Sequence, residues 1–450
     1  MLIGEENKVD FSLRGTVSWI LDNIVTIIFV MFVLLGFMVS KGVPMNYFLS
    51  ELCDRIFRNS FLVLSLIIPV LAGLGLNFGI VVGAMCGQAA IALARYHGLG
   101  GMGGLMFCFV ISFFLAAFCG YLTGKLYNKT RGQEMIAGLI LGYFANGIYQ
   151  FIFLFAIGVI IKVPATHPMI MPNGIGIRMT VDLIPVEKGG LKYALENIYK
   201  IPFVHALLIV SLAIIAVLLI GYWLNKKRGQ GHKNHPVSFG FNILMCLIIA
   251  GIAAYAINTQ SNFIKIPPVP MLDTWAPNLW KVRSVPVVTA LLIICLCIFT
   301  ELIMKTKLGQ DFRSVGQSQH ISEVSGINVD RTRIIATMIS TVLAAWGQLV
   351  FLQSMGTLST YSSHTQIGMF SVAALLVGGA STSKANIRNA IFGTILFNAM
   401  FIMSPSMGEA LFGQAVLGEY FRTFMVYGVI GVALGLHVWK ANKKSRIVVE

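Results

Sequence analysis

Seven uncharged amides, Asn77, Gln88, Asn146, Gln150, Gln348, Gln353 and Asn398, sit inside stretches that are otherwise apolar. An amide carries donors and acceptors without a fixed charge, so such a set can exchange hydrogen bonds with a neutral polar solute and release it. Phe78, Tyr143 and Phe144 lie beside them and offer faces on which a sugar or a base can stack. This is chemistry of passage. The same amides also join membrane helices to one another by hydrogen bonds, and residue type alone does not separate the two uses.

Other chemistries find less support. The nearest approach to a nucleotide-binding loop is "CGYLTGKLYNKT" (Cys119 to Thr130), where cysteine stands at the first glycine position and Leu126 at the Ser/Thr position. It reads better as a helix end with snorkelling Lys125 and Lys129. Proton relays need Asp, Glu or His within the bilayer. Here His205 falls near a membrane edge and Glu301 near the end of its apolar run. Sodium held by backbone carbonyls stays open, so a self-contained ion-coupled carrier is the alternative reading. The seven cysteines show neither pairing pattern nor metal-ligand spacing and read as reduced packing residues.

The elements that must position the amides are membrane spans. Hydrophobic residues make up 56% of the 450-residue chain and charged residues 11%, and mean hydropathy is +0.80. Runs such as "ALLIVSLAIIAVLLIGYWL" hold no Asp, Glu, Lys or Arg; a crossing needs roughly 20 such residues. Twelve apolar segments are expected, near 16–40, 59–72, 77–94, 105–124, 135–161, 203–223, 239–257, 286–304, 334–354, 366–380, 389–404 and 423–439. The second and third flank "AGLGLNFG" and read together as broken or re-entrant helices, backbone tolerated at membrane depth only where protein or a cavity surrounds it. The fold class is therefore all-α and polytopic, with about 10–12 transmembrane or re-entrant helices in one domain over 1–450.

The net charge of +15 is distributed by side rather than by patch. With both termini placed in the cytoplasm, the inner stretches hold 20 Lys and Arg in 88 residues and the outer ones 11 in 123. That is the positive-inside bias of a membrane protein, and it removes any need for a nucleic-acid partner. No cleavable signal is expected before the first span. Two outer segments, 162–202 and 258–285, are long. "GGLKYALENIYK" within the first predicts an amphipathic surface helix, and Trp275 and Trp280 in the second suit the interface. Either segment could meet an extracytoplasmic protein.

One polar piece is too elaborate for a turn: "TKLGQDFRSVGQSQHISEVSGINVDRTR" (Thr306 to Arg333), within the inner stretch 305–333. Gly309, Gly316 and Gly326 punctuate it, and "QSQHISEV" predicts a two-turn helix with Ile321 and Val324 three apart on one face. Arg313 and Glu323 could pair with a partner's surface. An ordinary loop helix packed on its own bundle would have the same pattern.

This piece resembles the cytoplasmic coupling loop of the ribose/branched-chain amino acid type of ABC importer permeases. It matches their pattern at Thr306, Gly309, Arg313, Val315, Gly316, Gly326, Ile327, Asn328 and Val329, and departs from it at Ser314, Ser318 and "QHISEV". "FSVAALLVGGASTSKANIRNAIFGTILFNAM" is similar to a further family stretch through Gly378, Gly379 and Gly393. "GLNFGIVVGAMCGQAAIALA" and "RGQEMIAGLILGYFANGI" resemble the nucleoside and simple-sugar branch, although the usual Glu after the broken helix is absent. The resemblance covers 70–160 and 286–440 and leaves 162–285 unassigned.

The resemblance implies a type II ABC importer-like permease bundle in the inner (cytoplasmic) membrane, with no cofactor on this chain. ATP and Mg would sit on a cytoplasmic ABC ATPase subunit. The further partners implied are membrane lipid, a second permease subunit (the same chain or a related one) and a solute-binding protein. Gly309, Arg313, Gly316, Ile321, Glu323, Gly326 and Ile327 would form the coupling loop. Asn77, Phe78, Gln88, Tyr143, Phe144, Asn146, Gln150 and Gln348 would line the path of a nucleoside or simple sugar, with a branched-chain amino acid second.

Overall fold

The computed structural model describes residues 13–39, 43–164, 167–184, 190–227, 236–261 and 277–449. The basic loop around 228–235 and Trp275 lie outside these residues. Among the described residues, eight helices are long and apolar enough to cross a membrane, and three shorter apolar helices, Asn23–Val39, Ile80–Tyr96 and Thr365–Val377, accompany them. The polytopic all-α expectation is met.

The broken helix lies where "AGLGLNFG" predicts it. Helix α1 (Leu13–Val39) precedes α2 (Met45–Leu64), a short α3 (Ile67–Leu71) and, after the break, α4 (Ile80–Tyr96). Gly73 and Gly75 adopt φ of 74° and 69°, a left-handed backbone that side chains with a Cβ resist. Helices α5 (Gly101–Lys129) and α6 (Glu134–Phe151) follow, and a π-helical turn, Ile152–Ala156, extends α6.

The chain divides into two compact units. The larger comprises Met1–Gly42, Arg55–Leu195 and Leu291–Glu450. Its hub is α12 (Val329–Met355), buried along most of its length. Small residues let neighbouring backbones close on it: a Cβ at Gly83 of α4 would stand 2.4 Å from Thr341 O, and one at Gly120 of α5 would stand 2.9 Å from Met338 Cα. Membrane helices associate through such close contacts because the lipid removes most of the hydrophobic drive between them. Helices α13 (Thr365–Val377), α14 (Ile387–Phe412) and α15 (Ala415–Val449) form another layer with α1. Phe397 there stacks near Phe29, Phe370 and Phe401. A Cβ at Gly393 would lie 2.0 Å from Ala374 O, and one at Gly378 would lie 1.9 Å from Asn389 O. Those two motif glycines are contact points between α13 and α14.

The smaller unit, Val43–Asp54 with Glu196–Ala290, is a hairpin of α7 (Phe203–Lys227) and α8 (Pro236–Ser261). Its core joins Val204, Ala253, Ala256 and Leu279. Trp280 donates its indole N–H to Ala256 O at 2.9 Å and meets His205 edge-on. Strand β2 (Lys200–Ile201) pairs antiparallel with β3 (Val285–Pro286), and helix α9 (Val287–Lys305) runs on from it.

The outer segment departs from expectation. Residues 191–198 form turns, not an amphipathic helix. Their backbone N–H groups are claimed from outside the segment: Lys192 donates to Leu183 O at 3.1 Å and Tyr193 to Gln353 O at 2.9 Å. Leu195 N donates to the Gln353 side chain at 3.4 Å. Strand β1 (Thr180–Asp182) pairs with β4 (Thr357–Ser359), so this segment is ordered by the end of α12 and its exit. Residues 165–166 and 185–189 of the segment, and 262–276 of the second outer segment, lie outside the described residues.

Candidate functional site

Two neighbouring cavities in the larger unit carry polar chemistry. One, of about 240 Å³, is lined by Phe78, Tyr143, Asn146, Gln366, Arg422 and Tyr427 among others. The second, of about 300 Å³, draws on Arg55, Asn59, Ser359, Ser363 and Asn398. Gln366 and Phe370 line both. Three of the eight expected path residues, Phe78, Tyr143 and Asn146, thus meet in one cavity. Phe144 is exposed on the bundle surface and does not line it.

The other amides have different surroundings. Asn77 is buried and committed: its Oδ1 accepts from Tyr127 OH at 2.7 Å and from Gly79 N at 3.0 Å, and its Nδ2 donates to Ser340 Oγ at 3.3 Å. Those bonds hold the break in shape and leave Asn77 off the cavity wall. Gln88 and Asn146 are brought together by a residue that sequence reasoning missed, His364. His364 Nδ1 lies 2.7 Å from Gln88 Oε1, and Nε2 lies 2.7 Å from Asn146 Oδ1. Gln150 Nε2 donates to the same Asn146 oxygen at 3.5 Å. With that oxygen engaged, the –NH2 group is the donor that the Asn146 amide retains. Turning the Gln88 amide over lets its otherwise unpartnered nitrogen donate to Nδ1, which fits a neutral Nε2–H imidazole. Gln348 is fully buried beside Gly87, and neither of its amide atoms has a hydrogen-bond partner.

The cavity's cation was also missed. Arg422 pairs with Glu419 one turn earlier on α15 and lies 4.4 Å over the Phe401 ring. In the sequence both His364 and Arg422 sit in polar borders of spans, where solvated side chains are common. What sets them apart lies elsewhere in the fold: Gln88 and Asn146 for His364, the Phe401 ring and the cavity for Arg422.

The inner polar piece forms two helices, not one: α10 (Lys307–Gln317) and α11 (Gln319–Val324). Thr306 and Ser318 cap their N-termini, each accepting from a backbone N–H three residues on at 3.4 Å, and Asn328 caps α12 at 2.9 Å. The glycines do not all punctuate. Gly309 and Gly316 lie inside α10 because the backbone approaches too closely for a side chain: a Cβ at Gly316 would stand 2.2 Å from Leu71 O at the end of α3. Only Gly326, with φ of 83°, acts as the expected stop.

Phe312 and Val315 fix α10 to the bundle, and buried Ser322 fixes α11 by bonding Ser314 Oγ at 2.9 Å and Ser318 O at 2.8 Å. Ile321 and Val324 consequently point out of the chain, 64% and 77% exposed. Arg313 is exposed as well, and Ile327 is half-buried. Glu323 is engaged within the chain: Arg131, in the turn between α5 and α6, reaches Asp330 at 2.6 Å and Glu323 at 3.0 Å. Asp330, and then Glu323, raise the arginine's pKa above its ordinary value. Beneath them a fully buried Arg333 pairs with Glu134.

The sequence profile described as "Branched-chain amino acid transport system / permease component" matches residues 188–434, more than half of the chain. The match takes in the stretch 188–285 that the motifs left unassigned, while the motif block 70–160 precedes it. The chain is similar to the nucleoside ABC transporter permease protein NupB of Lactococcus lactis, 28% identical over 134 residues, which is 30% of this chain and 35% of the relative. It is also similar to the xylose transport system permease protein XylH of Haemophilus influenzae, 29% identical over 165 residues, 36% of this chain and 41% of the relative. To a second Lactococcus lactis nucleoside permease, NupC, it is 24% identical over 173 residues, 38% of this chain and 53% of the relative. The chain thus spans about a third to a half of the length of the curated relatives it matches. No solved structure matches it.

Proposed function

The chain belongs to the permease family of branched-chain amino acid transport systems, and from that premise we propose that it is the membrane subunit of an ABC importer for a neutral polar solute. A nucleoside or simple sugar is the preferred cargo, with a branched-chain amino acid second. The names of the relatives, for nucleosides and for xylose, support that order. The inner (cytoplasmic) membrane, cytoplasmic termini, a second permease subunit and a solute-binding protein at the outer face belong to the same proposal. ATP and Mg belong to the ATPase partner.

The observation that carries the reading is α11. A six-residue helix pinned from beneath by Ser322 holds Ile321 and Val324 out of the chain. Exposed apolar side chains on a polar loop between two spans suit a protein surface more than lipid or water. The cavity then offers the aromatic faces of Phe78 and Tyr143 beside hydrogen-bonding groups of Asn146, Gln366 and Arg422, which together suit a hydroxyl-rich ring.

Uptake of labelled uridine, D-xylose and leucine tests the cargo. Asn146→Leu lowers uptake of the true solute several-fold while membrane levels of the chain stay normal. Normal uptake of all three by that variant removes Asn146 from the path.

A further inference from the structure

We infer that Arg333, Tyr127 and Asn77 form an internal link that passes movement of the docking helices to the break before α4, and so to Phe78 in the solute cavity. The inference rests on the coupling reading of α10 and α11. Its parts are contiguous. Arg333 Nη1 donates to Gln319 Oε1, at the start of α11, at 3.4 Å. Nη2 pairs with the Glu134 carboxylate at the start of α6 and donates to Tyr127 O at 3.3 Å. Tyr127 is buried, and its hydroxyl donates to Asn77 Oδ1 at 2.7 Å. The same oxygen holds Gly79 N, and Asn77 Nδ2 reaches Ser340 Oγ, which donates to Ser65 O at 3.0 Å in the gap between α2 and α3. Phe78, between the two bonded residues, lines the cavity.

The geometry is built for this hydroxyl. A Cβ at Gly79 would stand 2.6 Å from it and one at Gly138 would stand 2.5 Å from it, so the break before α4 and helix α6 leave a slot that fits the Tyr127 head. A second contact runs in parallel, where Gly316 of α10 meets the backbone of Leu71 and Gly73.

The physical case is that a buried guanidinium cannot leave its partners without stranding a charge. Displacement of Gln319 and the start of α12 is therefore carried to Tyr127 and Glu134 rather than absorbed by sliding, as apolar contacts would allow. Tyr127 in turn holds Asn77, whose side chain bonds the backbone immediately after Phe78. Such a link acts by positioning; none of its three members touches the cavity.

The test uses the chain purified with its ATPase subunit in proteoliposomes, with uridine and D-xylose as probes. Tyr127→Phe removes only the hydroxyl. It retains ATPase binding and basal hydrolysis, while uptake per ATP hydrolysed falls about tenfold, within the span of site-to-site coupling energies. Asn77→Leu gives a similar loss, and the double variant is no worse than either, as expected of residues acting in series. Gln319→Ala, near the surface, opens the link at its other end and gives the same uncoupling should the buried variants fail to accumulate. Unchanged uptake per ATP in Tyr127→Phe or Gln319→Ala overturns the link, as do losses that multiply. Ile321→Asp with Val324→Asp separates the premise: abolished ATPase binding supports docking at α11, and normal binding defeats the coupling reading itself.

Discussion

Arg333 and Glu134 stand 199 positions apart in the chain and share one buried ion pair. Removing one partner of such a pair strands the other, so Glu134→Gln is expected to cost about 3–5 kcal/mol. Replacing both, Glu134→Leu with Arg333→Met, restores most of that loss. Thermal unfolding in detergent micelles measures both; a Glu134→Gln chain that melts with the wild type contradicts the pairing. Glycines give a sharper contrast. Gly83→Leu would drive a side chain into Thr341 O and prevents α4 from closing on α12, whereas Gly147, with nothing within 4 Å of its missing Cβ, accepts alanine with no loss of folded yield. Some of this was legible: Gly378 and Gly393 stood in a recognisable pattern, and close approach explains them. His364 and Arg333 were not, because what distinguishes each is a partner distant in sequence. Asn77 reads as a path residue by type, and only its three hydrogen bonds show it shaping the backbone instead.

Among the elements, the break at "AGLGLNFG" was readable because glycine spacing and an apolar run too short to cross say the same thing. The surface helix at "GGLKYALENIYK" was misread because its period is local, while its backbone donors are claimed by Leu183 and Gln353. The polar piece at 305–333 was half read: its second helix was expected from Ile321 and Val324, but α10 was hidden by glycines that resemble stops and prove to be contacts. Gly326 is the true stop, in open space at φ of 83°, so Gly326→Ala should cost about 1–2 kcal/mol in backbone strain alone. That cost frays α11 and weakens ATPase docking several-fold in a pull-down. Gly98, also left-handed and in open space but in the turn between α4 and α5, is the control: alanine there leaves docking unchanged.

For the whole molecule, apolar runs placed the spans, and among the described residues eight long apolar helices with three short ones fall within the expected range. The orientation proposed from the charge bias is open to test by labelling. Ser318→Cys is expected to react with a membrane-impermeant maleimide only in inverted vesicles; reaction in intact cells would reverse the topology and remove α10 and α11 from the ATPase side. The central claim is that this chain conducts a solute only when a partner hydrolyses ATP. The most direct measurement reconstitutes the purified chain with and without the ATPase subunit and follows uridine and D-xylose uptake. Uptake that needs the ATPase subunit and hydrolysable ATP, and that persists when proton and sodium gradients are collapsed, is the predicted result. Uptake by the chain alone, driven by either gradient, would contradict it.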